Sequence, residues 1–319
     1  MEWVRWLSTV VTLTACAGTV ARNRSEDPCP SVGPVLAADA VNHSIKTIFV
    51  ILMENQDWSS IEGSSSAPYI NTVLLPRFAH AENYRNGGLH PSLGNYIALE
   101  AGNNLGIAFD APPSEVHLAV ACHLASYLDA TRLSWKAYEE GISGKTCPVF
   151  DAYPYAVRHD PFVYFEDVAG DPPNPGSARC LQHVRPYSEL ARDLQAGTVS
   201  RYNFITPDLC GSGHDSCPPL DDQVGQSDAW LAREVPVIMD SQTFKDGGAI
   251  FITWDEGAAG DHPIGMIVVS PLVKPGYAGS LQYSHASTVR TIEEVFGITP
   301  LLRDAGSATS LSDLFTTYP

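Results

Sequence analysis

The sequence IKTIFVILM at residues 45–53 is a nearly continuous apolar run with several β-branched residues, and Glu54-Asn55 follows it directly. Such a run is typical of a strand that is buried on both faces, as in a parallel sheet covered by helices. Similar runs recur at residues 201–206, 249–254 and 264–270. The stretch at 45–53 therefore predicts the central strand of a sheet.

Helical patterns lie between these runs. We predict helices at residues 187–196 and 287–296, which stop at Gly197 and Gly297, and a helix at 227–239 that begins with a Ser-Asp cap and is kinked or ended by Pro236. Strands that alternate with helices predict an α/β fold, a three-layer α/β/α sandwich with a doubly wound, mostly parallel sheet. Residues 110–186, rich in proline and aromatic residues, are expected to form excursions that shape a pocket.

The N-terminal residues resemble an export signal. A short apolar stretch follows Arg5, and residues 13–16, Leu-Thr-Ala-Cys, resemble the lipobox of bacterial lipoproteins. We predict a signal peptide at residues 1–15, a lipid-modified Cys16 followed by a tether at 16–43, and a catalytic domain at 44–319. A plain signal peptide, which would give a secreted protein, is the alternative. The lipid would anchor the protein to the outer face of the cell membrane.

Six cysteines remain when Cys16 is set aside, and three disulfides would suit an oxidising compartment. Cys210 and Cys217 flank a short polar loop and are the best-supported disulfide pair. The pairs Cys122–Cys147 and Cys29–Cys180 follow only by elimination. The net charge of −17 argues against nucleic-acid binding, because an anionic surface repels phosphate backbones.

Acidic residues follow three of the predicted strands. Glu54 follows the first, Asp208 with His214-Asp215 follows the second, and Asp255-Glu256 follows the third. Ligands of open α/β sheets bind beyond the carboxyl ends of the strands, so these side chains are expected at one edge. One such acid alone is as well explained as a helix cap. Together they predict a divalent metal site of undefined metal identity.

Ser92 lies at the start of an apolar helical segment, in the sequence His90-Pro-Ser-Leu-Gly-Asn95. A capping role is the ordinary explanation of such a serine. A helix N-terminus also offers free N–H groups and positive potential to a phosphate, and Asn95 can donate its amide to a phosphoryl oxygen. The segment lacks the GxSxG motif, so an esterase-type nucleophile is not supported. The chain has no Walker loop or GxGxxG motif, which argues against nucleotide or dinucleotide cofactors. Ser92 is therefore predicted to be a nucleophile.

Seven motifs in unbroken order resemble one family: ILMEN at 51–55, HPSLGNYIAL at 90–99, RHDPF at 158–162, TPDLC with GHD at 206–215, GQSDAWL at 225–231, TWDE at 253–256 and HASTVRTIEEVF at 285–296. The chain resembles the bacterial phosphoesterase family of secreted acid phosphatases and phospholipases C, in the alkaline-phosphatase-like superfamily. Within that family it is nearest to mycobacterial-type acid phosphatases that act on phosphatidylinositol 3-phosphate.

This resemblance implies an alkaline-phosphatase-like fold and a phosphoserine intermediate on Ser92. It implies that the metal is held by four residues, Glu54, Asn55, Asp255 and Glu256. His159 and His214 would contact the phosphoryl group or protonate the leaving oxygen. His90 and His285 would contact the substrate, although His285 could also cap the last helix.

The sequence leaves two kinds of enzyme open, a phosphatase and a phospholipase C. A phosphatase would act on a phosphorylated small molecule or a phospholipid, whereas a phospholipase C would cleave a diester. Residues 56–58 read Gln-Asp-Trp where phospholipases C usually have Arg-Ser-Phe, which favours the phosphatase. A lipid-anchored binding protein without activity is a third possibility, and the intact Glu54, Ser92, Asp255 and His214 argue against it. The sequence does not indicate an oligomeric state.

Overall fold

The computed structural model describes Met1, residues 43–119 and residues 122–319. The predicted signal peptide, Cys16 and tether lie outside the described residues, apart from Met1 and His43. Within the described ranges, no helix combines the length and the apolar character needed to cross a membrane.

The strands, in chain order, are Thr47–Met53 (β1), Ala79–Ala81 (β2), Tyr84–Arg85 (β3), Trp135–Glu139 (β4), Val184–Pro186 (β5), Tyr202–Thr206 (β6), Gly248–Trp254 (β7), Met266–Val269 (β8), Ala278–Gly279 (β9) and Tyr283–Ser284 (β10). Eight of them form one sheet in the order β5-β4-β6-β1-β7-β8-β2-β9, and β3 pairs with β10 separately. In this sheet only β8 runs against its neighbours β7 and β2. The mostly parallel sheet predicted from the sequence is confirmed.

The α-helices are Trp58–Ile61 (α1), Leu75–Arg77 (α2), Ser92–Ala101 (α3), Leu124–Ala130 (α4), Glu166–Ala169 (α5), Ala178–His183 (α6), Leu190–Ala196 (α7), Gln223–Asp240 (α8), Gln242–Lys245 (α9) and His285–Phe296 (α10). They pack in two groups, since α3 contacts α4 and α10 whereas α8 contacts α7 and α9. This arrangement is that of a three-layer α/β/α sandwich, as predicted.

The helix ends show where local signals were sufficient. Helices α7 and α10 end at Gly197 and Gly297, as predicted. Helix α8 begins earlier than predicted, because Asp222 caps it by accepting a hydrogen bond from Gly225 N, and it continues through Pro236 to Asp240. The predicted Ser-Asp cap is wrong: Asp228 lies inside the helix and accepts hydrogen bonds from the backbone of Tyr69 and Ile70.

Strand β1 is buried along its whole length and pairs in parallel with both β6 and β7. The pairing continues beyond the strands, since Asp255 N donates to Met53 O at 3.0 Å. The residues after β1 and β7 are therefore placed side by side at the carboxyl edge of the sheet.

The disulfides only partly follow the prediction. Cys210–Cys217 is present, as expected, and Cys147 is bonded to Cys180. The predicted pairs Cys122–Cys147 and Cys29–Cys180 are therefore wrong. The physical reason is proximity: the Cα atoms of Cys147 and Cys180 lie 5.5 Å apart across a fold that spacing alone does not reveal.

Residues 110–186 do more than form excursions around a pocket. They supply β4 and β5, which extend the sheet in parallel beyond β6. They also supply α5 and the 3-10 turn Val157–His159, which packs against α3. The predicted site residue His159 lies in this turn, and its neighbour Arg158 contacts the predicted site residue His214.

Candidate active site

Three elements meet at the carboxyl edge of the sheet. Glu54 follows β1, Asp255 follows β7, and Ser92 is the first residue of α3. Ser92 Oγ donates to Glu54 Oε2 at 3.2 Å, and the Asp255 carboxyl group lies beside both side chains. The three side chains are buried, so the hydroxyl group of Ser92 lies against two carboxyl groups away from bulk water.

Ser92 does not act as a helix cap. The capping position belongs to Pro91, and no side-chain capping bond is made there. One N–H group of the predicted phosphate cradle is already occupied, because Leu93 N donates to Asp110 Oδ1 at 3.0 Å. The hydroxyl group is therefore free of the backbone and held by carboxyl groups.

The acids at this edge strongly disfavour one another's ionisation. Burial and the charge of Asp255 raise the pKa of Glu54 well above its usual range. Burial and the charge of Glu256 raise the pKa of Asp255 to about 7. Burial also raises the pKa of Glu256, and the neighbouring His90 offsets this only in part. Carboxyl groups so placed gain stability from a cation between them.

Several polar atoms at this edge lack hydrogen-bond partners although they are buried: Asn55 Oδ1, Asp255 Oδ2 and His159 Nε2. Asn55 has a left-handed backbone, with φ of 52°, and its N–H donates to Asp255 Oδ1 at 3.1 Å. Unpaired buried acceptors are costly in the absence of a ligand. The donor set of carboxylate, amide and imidazole atoms fits a divalent metal ion.

A second grouping of possible ligands shares Glu54. One ligand atom each from Glu54, His159 and His214 lies within 4.8 Å of the others. Glu54 Oε1 lies 3.3 Å from His159 Nε2 and accepts a hydrogen bond from the hydroxyl of Tyr96. The ring of Tyr96 also stacks on His159, with centroids 5.0 Å apart.

The two histidines have different environments. Burial, together with the charges of Arg158 and His214, lowers the pKa of His159 well below its usual value, so this imidazole is neutral. His214 is held from both sides: its Nδ1 lies 2.7 Å from Asp215 Oδ1, and Arg158 Nη2 donates to its Nε2 at 3.1 Å. Since arginine only donates, Nε2 of His214 carries no proton in this arrangement.

Asn95 and His90 both contact Glu256. Asn95 Nδ2 donates to Glu256 Oε2 at 3.0 Å and to Leu89 O at 2.9 Å, so the amide predicted to bind a phosphoryl oxygen is used within the protein. His90 Nδ1 lies 3.2 Å from the same Glu256 oxygen. Partial burial lowers the pKa of His90, but the Gly260 carbonyl and Glu256 outweigh it and the net shift is upward.

His285 is not a helix cap. Ser284 occupies the capping position of α10. His285 Nε2 donates to the backbone carbonyl of Asp255 at 2.7 Å, and its Nδ1 lies 3.2 Å from the hydroxyl of Tyr84. Burial lowers its pKa to about 4, so the ring is neutral. His285 therefore positions the segment that carries Asp255.

A cavity of about 420 Å³ opens beside α3, and its polar lining includes Asn86, Asn95, Asn104, His285 and Asp304. Ser92 does not line it, so this cavity is not the phosphoryl site itself. It is the space that the two predicted substrate contacts Asn95 and His285 share.

Sequence reasoning missed three residues that shape the site, Tyr96, Asp110 and Arg158, and named Asp215 only as an acid that follows a strand. Tyr96 could have been found, because it lies four residues after Ser92 and so on the same helix face. Arg158 and Asp215 are neighbours in sequence of the predicted histidines. Asp110 gives no such signal. Only in the folded chain does it accept a hydrogen bond from Leu93 N and lie with its Oδ2 3.4 Å from Arg158 Nε.

Comparison with protein families gives one match over most of the described chain: the model described as the Phosphoesterase family matches residues 64–299. The phosphatidylinositol-3-phosphatase of Mycobacterium tuberculosis is 26% identical over 287 residues, which cover 90% of this chain and 87% of that protein. The phosphate-repressible acid phosphatase of Penicillium chrysogenum is 25% identical over 68% of this chain, which spans about half of that protein, 52%.

Among solved structures, a protein of the alkaline phosphatase superfamily from Vibrio parahaemolyticus has the same fold. The TM-score is 0.55 with 12% sequence identity, and the match covers 92% of this chain and 78% of that chain. The similarity supports the predicted alkaline-phosphatase-like architecture.

Proposed function

The chain belongs to the phosphoesterase family and is a hydrolase of phosphoric esters, and on that premise we propose that it hydrolyses phosphoric monoesters through a phosphoserine at Ser92. The observation that carries the proposal is the contact of Ser92 Oγ with Glu54 Oε2, 3.2 Å, at the first position of a buried helix. A serine held by carboxyl groups rather than by the backbone is oriented for attack on phosphorus.

The chain's own residues account for proton and charge in the first step. Ser92 Oγ forms a bond to phosphorus while the bond from phosphorus to the leaving oxygen breaks, and the hydroxyl proton passes to the Glu54–Asp255 pair. Tyr96 holds the second oxygen of Glu54 and so fixes the acceptor. Water then cleaves the phosphoserine and returns the hydroxyl group.

Glu54, Asn55, Asp255 and Glu256 would hold the metal. A divalent cation bound there supplies positive charge that favours the serine alkoxide and offsets the charge of the phosphoryl oxygens. Asn95 and His90 orient Glu256, and His285 orients Asp255.

His159 and His214 serve the phosphoryl group and the leaving oxygen. The unpartnered Nε2 of His159 faces the site as a neutral group. His214 is proposed to protonate the leaving oxygen: Asp215 lies against its Nδ1 at 2.7 Å, and its Nε2 can carry the proton once Arg158 turns from it to the substrate. Arg158, which contacts His214 now, binds phosphoryl oxygens when the substrate is present.

The substrate is proposed to be a phosphorylated small molecule or a phospholipid. The name of the Mycobacterium tuberculosis relative suggests phosphatidylinositol 3-phosphate as one such lipid. The disulfides Cys147–Cys180 and Cys210–Cys217 favour export to an oxidising compartment. A lipid on Cys16 would hold the protein at the outer face of the membrane, near lipid substrates; the N-terminal peptide tests this by mass spectrometry.

A comparison of three substrates with one purified sample tests the proposal. Hydrolysis of p-nitrophenyl phosphate should exceed that of its bis ester and of phosphatidylcholine by at least about tenfold, a difference of about 1.4 kcal/mol in transition-state stabilisation. Acid quenching during turnover should trap phosphate on the peptide that contains Ser92. Faster hydrolysis of the two diesters would make the enzyme a phospholipase C-type diesterase instead.

A further inference from the structure

A second group of metal-ligand side chains lies outside the active site. His117, Glu166 and Asp171 each offer one ligand atom, and these atoms lie within 4.8 Å of one another. His117 belongs to the loop before α4, Glu166 is the first residue of α5, and Asp171 follows the end of α5 after Gly170. The mechanism proposed above uses none of the three residues.

Helix α5 allows a direct comparison, because its first two residues each face a histidine. Asp167 makes ordinary hydrogen bonds with His123, at 3.1 Å from Nε2, and Glu100 meets the other ring nitrogen at 2.8 Å. His123 thus donates from both nitrogens and is a protonated, fully paired group. Burial lowers the pKa of His123, but Asp167 and Glu100 outweigh this effect and raise the pKa to about 9.

His117 lacks such bonds. Its Nε2 lies 3.5 Å from Glu166 Oε1 and 3.4 Å from Asp171 Oδ1, and neither contact is a hydrogen bond. Both ring nitrogens are buried and have no hydrogen-bond partner among the described residues, and the side chain is only 11% exposed. Both contacts are at ion-pair distance, but neither gives a ring nitrogen a hydrogen bond, and a buried imidazole without such a bond is costly unless another group lies between it and the carboxylates.

The separations match a cation in tetrahedral coordination. Zinc bonds to imidazole nitrogen and carboxylate oxygen are about 2.0–2.1 Å long, which places two ligands of a tetrahedral site about 3.3–3.4 Å apart. The distances of 3.4 and 3.5 Å from His117 Nε2 agree with this value. We propose that His117, Glu166 and Asp171 form a second site, which binds a zinc-like divalent transition-metal ion.

The backbone already holds the ligands in place. Leu118 N donates to Tyr164 O at 2.7 Å, and Glu166 N donates to Leu118 O at 3.1 Å, so the residues next to His117 are paired with the start of α5. Gly170 has φ of 91°, which turns the chain so that Asp171 comes back towards the histidine. The site would clip the 111–118 loop to α5, and the half-buried carboxylates leave it open to solvent.

Zinc binding by the metal-free full chain tests this proposal. We would measure bound zinc by equilibrium dialysis and elemental analysis in the parent, Asp171→Asn, Glu166→Gln and the control Glu115→Gln. Glu115 is an exposed acid of the same loop, so its variant makes the same charge change outside the cluster. We expect Asp171→Asn and Glu166→Gln to lose one equivalent of zinc, and Glu115→Gln to lose none.

The variant Asp255→Asn separates this site from the active site. It should lose the catalytic metal and retain the equivalent that Asp171→Asn loses, whether or not the proposed catalytic mechanism is correct. Zinc should also raise the melting temperature of the Glu115→Gln variant more than that of Asp171→Asn. Equal zinc content in Asp171→Asn, Glu166→Gln and Glu115→Gln would overturn the proposal.

Discussion

The two ends of helix α3 carry buried acids in opposite situations. At the N-terminal end, Ser92 contacts Glu54 and Asp255, whose charges are not matched by a nearby cationic side chain bonded to them. At the C-terminal end, Glu100 is equally buried but accepts hydrogen bonds from His123 and from Ala125 N. Glu54, Asp255 and Glu100 each follow an apolar residue in sequence. The difference is that one cluster is neutralised inside the protein and the other is left to a ligand.

This comparison teaches that a buried carboxyl group does not by itself indicate a functional site. Glu100, His123 and Asp167 satisfy one another and connect α3, α4 and α5, which is a structural task. Glu54 and Asp255 repel one another and leave an oxygen unpartnered, which destabilises the empty fold. Proteins retain such an arrangement where binding offsets its cost.

The largest effect expected is that of Ser92→Ala, which should lower turnover by several orders of magnitude because the covalent step is removed. The matched control is Ser126→Ala in the first turn of α4, a helix that packs against α3. Ser126 caps α4 through the backbone of His123, so its loss should lower stability by about 1 kcal/mol and leave turnover normal. Steady-state kinetics with p-nitrophenyl phosphate decides, and a Ser92→Ala enzyme of near-normal turnover would contradict the mechanism.

Removal of the metal should lower activity nearly as much as Ser92→Ala does. Exhaustive chelation should abolish activity reversibly, and Glu54→Ala or Asp255→Ala should abolish it permanently, because the charge needed at the phosphoryl group is lost. Activity before and after metal return, with elemental analysis of each sample, provides the measurement. Full activity of a protein free of metal would mean that these acids have another purpose.

A pair of isosteric variants sharpens the contrast in stability. Asp255→Asn should leave the metal-free protein as stable as the parent or more stable at pH 8, because it removes an unpaired buried charge. Glu100→Gln should cost about 1.5–3 kcal/mol, since it removes a charge-assisted hydrogen bond to His123. Urea unfolding of both metal-free variants measures this; the same loss in the two would erase the distinction between the clusters.

Stability should also depend on pH through His123. The folded-state pKa of His123 is about 9, above the ordinary value near 6.5, so its stabilising contribution is complete below about pH 6.5 and is lost as pH rises towards 9. The parent should therefore lose stability over this window by about 3 kcal/mol, at about 1.4 kcal/mol per pKa unit. In His123→Gln the decline should be much shallower. Parallel slopes for the two proteins in urea unfolding would refute this assignment.

Much of the fold could be predicted because its signals are local. The run at residues 45–53 is apolar throughout, and a strand of that kind must be buried on both faces, which implies helices above and below the sheet. Gly197 and Gly297 mark helix ends for a reason that also lies in the local backbone. The start of α8 was missed because Asp222 and Asp228 both suit a cap, and packing against Tyr69 and Ile70 selects between them.

The candidate site divides in the same way. Order along the chain placed Glu54 and Asp255 at one edge, because parallel strands end together. The bond of Arg158 to His214 and that of Asp110 to Leu93 join residues that are far apart in sequence. Asn95 was predicted to face the substrate, and its amide instead contacts Leu89 O and Glu256.

The sequence by itself determined the layered fold, the edge of the sheet at which the acidic residues gather and the serine at the start of α3, since burial and strand direction are encoded in local patterns. Only the tertiary structure decided which acids are neutralised. Glu54 and Glu100 are both glutamates that follow an apolar residue in sequence. His123, 23 residues further along the chain, contacts Glu100, whereas no such partner neutralises Glu54 within the described residues. Cys147–Cys180 and the approach of His117 to Asp171 have the same origin. Electrostatic pairing depends on distance in space, which the fold alone provides.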